Sequence, residues 1–274
     1  MKKLYAIFMC VAMLGLAAHG QAVRRLDPAT QQARLDLQKK LVGNQSPEST
    51  TLCKYKFISG SGNTYMNFCV TKNGNIAKFE SPSKQEFIQV GTIGEGYGFC
   101  DYDTETEYYD YAGYGDSGNW LAATTVSSSS TSVKISRKTS DGIYTLTQTI
   151  TQNASNALAE VTMALKNNTS SSHHVGLLRY ADVDASGNPD NNFDYSYRTG
   201  FGWDESGYGL QLTHVSGFAL NGGFSQIVAS GPNPCQIFEN VGNGQAIDGS
   251  IFIEYDMELG SGKTGTTVDT YKSF

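Results

Sequence analysis

The sequence predicts an all-β protein: a large antiparallel β-sandwich carrying one short N-terminal helix. Three observations carry that prediction. From Cys53 onward the chain breaks into about a dozen short strand-like runs separated by Gly, Asn, Asp and Ser turns, the spacing of a sandwich or barrel. Within the clearest of these runs, large side chains alternate with threonines at period two. After Gly43 no stretch repeats apolar residues at helical spacing.

Met1 to Ala22 reads as a signal peptide. Lys2 and Lys3 precede an apolar run, Leu4 to Ala18, and cleavage fits after Gly20 or Ala22. Residues 23–51 form a helix and linker. Asp27 caps that helix, Pro28 takes its first position, Leu37 and Leu41 share a face, and Gly43 stops it. Residues 52–274 are read as one sandwich domain. Thr64 to Thr71 and Ile76 to Phe79 are strands around Asn73-Gly74, which predicts a type I′ hairpin turn. Phe87 to Val90 is a further short strand, followed by a Gly-, Tyr- and acid-rich stretch, Gly91 to Trp120. A meander follows: Leu121 to Val126, Val133 to Arg137, Ile143 to Thr151, Ala157 to Lys166 and His174 to Ala181. Tyr144, Leu146, Gln148 and Ile150 share one face there, with Thr145, Thr147 and Thr149 on the other. The remaining strands are Phe193 to Trp203, Leu210 to Val215, Gln226 to Val228, Ile237 to Phe238, Ile251 to Tyr255 and Thr266 to Tyr271.

Charged residues are only 17% of the 274, and the formal net charge of −6 speaks against nucleic acid or an anionic lipid surface as partner. No stretch after the signal is long and apolar enough to span a bilayer. Cys10 leaves with the signal, so Cys53, Cys69, Cys100 and Cys235 remain, an even count suited to a secreted or periplasmic protein. Of the possible connectivities the preferred one is Cys53–Cys69, flanking a strand pairing, with Cys100–Cys235. No CxxC spacing supports zinc.

Tyr144 to Asp184 runs strand, turn, strand, an Asn-Asn-Thr-Ser turn, strand, Asp. Ile251 to Tyr271 closes with a Gly260-Ser-Gly turn before a last strand. Both patterns resemble the galactose-mutarotase-like supersandwich proteins, covering about a third of the chain. The resemblance implies a supersandwich fold and, in sugar-processing members, a His and a carboxylate as catalytic groups. No motif here assigns either to a position.

Two stretches carry candidate sites. Asp182, Asp184, Ser186 and Asp190, turned at Gly187, overlap the opening of a calcium loop, to which Asn188 adds a carbonyl. The position that would carry a bidentate Glu is Phe193, with Asp194 beside it as a replacement. A plain Asp/Asn/Gly turn is the competing reading. The second stretch alternates tyrosines with acids. Tyr97, Tyr102, Tyr108, Tyr109 and Tyr111, with Trp120 and the later Trp203, offer flat rings beside carboxylates, suited to a sugar or to a protein ligand. The competing reading there is buried tyrosines beside solvated acids.

His173-His174 and His214 lack metal spacing, and Arg179-Tyr180 reads as packing plus a salt bridge rather than a substrate clamp. The sequence thus points to a secreted sandwich that binds an extracellular ligand, carbohydrate foremost, with a calcium-stabilised loop. The alternatives are a carbohydrate-active hydrolase, lyase or epimerase on the same fold, whose paired acids sequence cannot locate, or a surface module for protein interaction.

Overall fold

A computed structural model describes residues 53–88, 93–217, 220–226 and 233–274. The signal segment and the N-terminal helix lie outside the described residues, as do parts of the runs expected at Phe87 to Val90 and Gln226 to Val228.

The described chain is antiparallel β throughout, in three sheets. A small one joins β1 (Tyr55–Ser59), β2 (Met66–Val70) and β3 (Ile76–Glu80) in order. Next come β4 (Gly96–Asp101), β5 (Thr106–Tyr111) and the short β6 (Gly115–Asp116). The meander is β7 (Thr124–Ser128), β8 (Ser132–Lys138), β9 (Tyr144–Asn153) and β10 (Leu158–Asn167), leading into β11 (His173–Asp182). β12 (Asp190–Ser196), β13 (Thr199–Trp203), β14 (Gly209–Gly217) and β15 (Leu220–Gln226) follow, then β16 (Gly244–Asp248), β17 (Ser250–Leu259) and β18 (Thr264–Ser273). The nine-stranded sheet runs β16-β12-β13-β14-β18-β10-β9-β8-β7, and the six-stranded sheet β15-β17-β11-β4-β5-β6. Their inner faces and the small sheet share one apolar cluster.

The period-two reading holds where it was clearest. β9 buries Tyr144, Leu146, Gln148 and Ile150 and turns its threonines outward, where Thr147 and Thr151 meet Ser136 and Ser132 at 3.2 and 3.0 Å. β10 does the same with Ala159, Val161, Met163 and Leu165. Each buried Leu, Ile, Val or Met among them contributes about 1.5–3 kcal/mol. β11 is buried on both faces from Val175 onward, because the six-stranded sheet has its own outer cover. That cover is a 3-10 helix, Pro234–Asn240, capped by the Asn233 side chain, which accepts from Cys235 N at 2.8 Å. Ile237 sits over Leu178, Tyr180, Tyr111 and Phe252. Cys100–Cys235 ties the helix to β4, and Cys53–Cys69 closes the small sheet, the pairing expected from sequence.

Three local expectations are corrected. Ile237-Phe238 is helical, not a strand, because the Asn233 cap and Pro234 start a helix there. Phe193 to Trp203 is a hairpin, β12 and β13, turning after Ser196, not one strand. The β2–β3 connection is not a type I′ turn: Gly74 takes φ +97° but Asn73 does not take positive φ, and type I′ needs both. Asn73 and Asn75 are buried instead and donate to Asp110 Oδ2 and to the Asp110 carbonyl, each at 2.8 Å.

Candidate functional site

Alternation along β11 sends His174, Gly176, Leu178, Tyr180 and Asp182 to the outer face of the six-stranded sheet. The aromatic cluster under the 3-10 helix occupies the middle of that face. Ionisable groups gather at its two ends.

At the His174 end, β17 contributes Glu254 and Asp256, which follow one another on the outer face. In register, Leu178 pairs with Glu254, Gly176 with Asp256 and His174 with Glu258. The Tyr102 hydroxyl donates to Glu254 Oε1 at 3.4 Å, and its ring lies 5.0 Å from the His174 ring. His174 Nε2 pairs with Asp256 Oδ1, and its backbone N–H donates to Asp103 Oδ2 at 3.0 Å. Gly176 is what lets Tyr102 meet Glu254, since a Cβ there would overlap both the Tyr102 hydroxyl and Glu254 Oε1. Glu254 is 1% exposed, with the Asn221 and Tyr102 side chains as its hydrogen-bonding neighbours. Burial pushes its carboxyl up to about 7. Asp256 raises His174, whose burial pulls the other way. On the inner side of the same strand end, His173 Nδ1 lies 3.0 Å from Asp101 Oδ2, which also accepts from the Tyr144 hydroxyl at 2.7 Å.

Asp182 closes the other end of β11, 7% exposed. One oxygen each of Asp182, Asp184 and Asp248 lie within 4.8 Å of one another. Asp248 comes from β16, brought there because Asp190 and Asp248 are partners in the β12–β16 ladder. Ser186 and Asp194 make their side-chain hydrogen bonds outside this group, Asp190 stands beside Asp248 in the β12–β16 ladder, and the Asn188 carbonyl accepts from Asn191 Nδ2. The Ser186 hydroxyl donates to Gln85 Oε1 and to Asp204 Oδ2, each at 2.7 Å. Asn188 Oδ1 accepts from Asp190 N at 3.2 Å, and Asp194 Oδ1 from Tyr195 N at 2.7 Å.

The tyrosine stretch does not form one exposed platform. Tyr97, Tyr108, Tyr111 and Trp120 are buried. Tyr97 donates to the Asn73 carbonyl at 3.0 Å, Tyr108 to Asp141 Oδ2 at 2.6 Å, and the Trp120 indole to the Tyr109 carbonyl at 3.0 Å. Tyr102 and Tyr109 are half-buried on the outer face, and Trp203 is half-buried at the end of β13. The reason is the Tyr108-Tyr109 doublet, which breaks the Tyr/acid alternation, so each face of β5 receives tyrosine and acid together. Sequence reasoning missed Glu254, Asp256 and Asp248; the period-two pattern of β17, with acids at 254, 256 and 258, was the one legible signal.

The raised carboxyls set a pH dependence. Glu254 and Asp269 are both pushed up to about 7 by burial. Their folded forms hold protons that the unfolded chain gives up at lower pH, so the stability they contribute is present at acid pH and lost as pH rises through about 7. The raised His174 acts in the same direction, while His214, lowered by burial, acts in the other. Urea unfolding is therefore expected to show lower stability at pH 8 than at pH 5, with part of the difference removed by Asp269→Asn. A profile that is flat or rises across that window contradicts the assignment.

No protein-family model matches this chain, and no curated protein matches it. Solved structures do. A bacterial glucoamylase complexed with acarbose superposes with a TM-score of 0.57 at 10% identity, covering 84% of this chain and 34% of that one. The chain thus spans about a third of the glucoamylase's length. A GalM/aldose epimerase homologue from C. elegans gives 0.49 at 10% identity, with 80% and 98% covered. The heparan sulfate lyase HepC from Pedobacter heparinus gives 0.48 at 9%, with 90% and 42% covered. Among the described residues no helix is long and apolar enough to cross a membrane. The likeness to the glucoamylase is one of fold, and aldose epimerase homologues are among the structures the chain weakly resembles.

Proposed function

We propose that this is an exported protein that binds carbohydrate at the His174 end of the outer face, through Tyr102, His174, Glu254 and Asp256. The observation that carries the reading is the convergence of these four side chains around Gly176. A sugar presents a ring with weakly apolar faces and a rim of hydroxyls. It is met by an aromatic face together with closely spaced groups that both donate and accept. Tyr102 supplies the ring, the carboxyls accept, and Glu254 donates as well while it holds its proton. The glucoamylase of similar fold was solved with acarbose, which is in keeping with this reading. Two disulfides suit an oxidising compartment, and the N-terminal segment supplies the export signal.

A second reading, a carbohydrate-active enzyme at the same place, is favoured by one observation. Glu254 is pushed up to about 7 beside an imidazole held by Asp256, which sets a proton donor and a proton acceptor on neighbouring strands. Hydrolysis, elimination and epimerisation of sugars all need such a pair.

The test is a glycan array on the full protein, followed by titration of the best ligand. Binding is expected, with Glu254→Gln and Tyr102→Ala each weakening it about tenfold, or about 1.4 kcal/mol. Gly176→Ala should do the same by steric separation of the pair. An array without hits, or variants that bind as the wild type does, removes the reading. Turnover of the bound glycan, abolished in Glu254→Gln, selects the enzyme over the binding module.

A further inference from the structure

We propose that Asp182, Asp184 and Asp248 hold a hard divalent cation, calcium first, that clasps the two large sheets together at one corner of the sandwich. This does not depend on the carbohydrate reading; the site is at the opposite end of β11.

The donor set is three carboxylates with one oxygen each inside 4.8 Å, and no His or Cys among them. Three carboxylates at that spacing repel strongly unless a proton or a cation comes between them. Among the described residues no Lys, Arg or His forms an ion pair with any of the three. Two other buried acids do have a cation: Glu95 pairs with Arg179, and Asp110 with Arg137.

Two buried oxygens make the case independent of acid clustering. Asp182 Oδ1 is buried and has no hydrogen-bond partner, although its carboxylate faces the other two. Asn191, 1% exposed, is fixed by its Nδ2, which donates to the Val183 carbonyl at 3.0 Å and to the Asn188 carbonyl. That leaves Asn191 Oδ1 buried and without a partner on β12, one residue after Asp190. Buried polar atoms are nearly always paired in native proteins, so the orphaned Asp182 Oδ1, on a carboxylate that faces two others, points to a partner bound there. Hard oxygen donors alone, with no nitrogen or sulfur, select calcium, magnesium or manganese over zinc. A corner assembled from a strand end, a loop and an edge strand is pliant, which suits the irregular, larger coordination of calcium better than the strict octahedron of magnesium.

The topology sets what a cation held here would do. Asp182 ends β11 in the six-stranded sheet, whereas Asp248 ends β16, the edge of the nine-stranded sheet. β16 is held to β12 by a short ladder with a register shift between Asn191 and Phe193. A cation bonded to both aspartates bridges the sheets where the edge is weakest.

The experiment is calorimetric titration of the full, chelator-treated protein with calcium chloride, paired with thermal melts in calcium and in EDTA. Wild type is expected to bind calcium and to melt about 5 °C higher with calcium in hundredfold excess over its Kd. Asp248→Asn, an exposed position that folding tolerates, should weaken binding at least tenfold and remove most of the shift. Asp194→Asn, an exposed acid on β12 outside the carboxylate group, should bind within twofold of wild type. Tighter binding of magnesium or zinc than calcium overturns the assignment of the ion. Absence of any calcium-dependent heat or melt shift, or undiminished binding by Asp248→Asn, overturns the site.

Discussion

Replacing Arg179 by Met is expected to cost about 3–5 kcal/mol of folding stability, the penalty for leaving one partner of a buried ion pair uncompensated. Arg179 is fully buried on β11. Its Nε faces Glu95 Oε1, one Nη donates to Gln148 Oε1 on β9, and the other donates to the Gly74 carbonyl at 3.1 Å. Glu95 accepts in turn from the Ile76 N–H and from the Tyr271 hydroxyl at 2.8 Å. One guanidinium therefore links the six-stranded sheet to the β2–β3 turn and to the nine-stranded sheet. Burial pushes Glu95 up to about 7 against the pull of Arg179. Without the guanidinium that pull is lost, and the carboxyl must take a proton to stay inside. Urea midpoints of Arg179→Met, Glu95→Gln and the double variant measure this. The double variant is expected to recover part of the loss, because it removes both charges together. Full additivity of the two single losses contradicts a coupled pair.

Removing the Cys100–Cys235 disulfide by a double Ser substitution is expected to cost about 2–4 kcal/mol, since it releases a long loop in the unfolded chain. The cysteines are 135 residues apart, yet the crosslink fixes the 3-10 helix directly over β4. Its loss should act locally first. Amide exchange at Leu178 and Tyr180, under the helix, is expected to speed up while β9 and β10 stay protected. Uniform loss of protection across both sheets would show that the bridge holds the whole sandwich rather than its outer cover.

How much of this was legible in the sequence follows from what kind of information each feature needed. β9 and β10 were legible because a long strand with one buried face writes its register into the residue order. The Arg179 ion pair was foreseeable as packing plus a salt bridge, though its partner Glu95 was not, since nothing local links two residues 84 positions apart. The β12–β13 hairpin was missed because its turn, at Tyr197-Arg198, lacks Gly, Pro or Asn. Ile237-Phe238 is a short apolar run, the case in which helix and strand cannot be told apart by periodicity. The calcium-loop pattern drew attention to Asp182 and Asp184, which the fold does bring together, but the third acid arrives through ladder pairing from Asp248. The tyrosine stretch misled because a single doublet redistributes rings between faces. Glu254 and Asp256 needed the topology itself, since only the β11–β17 register sets them beside His174.

A crystal structure of the protein with the best glycan from the array tests the central claim most directly. The sugar is predicted to lie on the outer face of the six-stranded sheet, over the Tyr102 ring and within hydrogen-bond distance of Glu254. Density for the sugar on the outward face of the nine-stranded sheet, with Glu254 untouched, would contradict it.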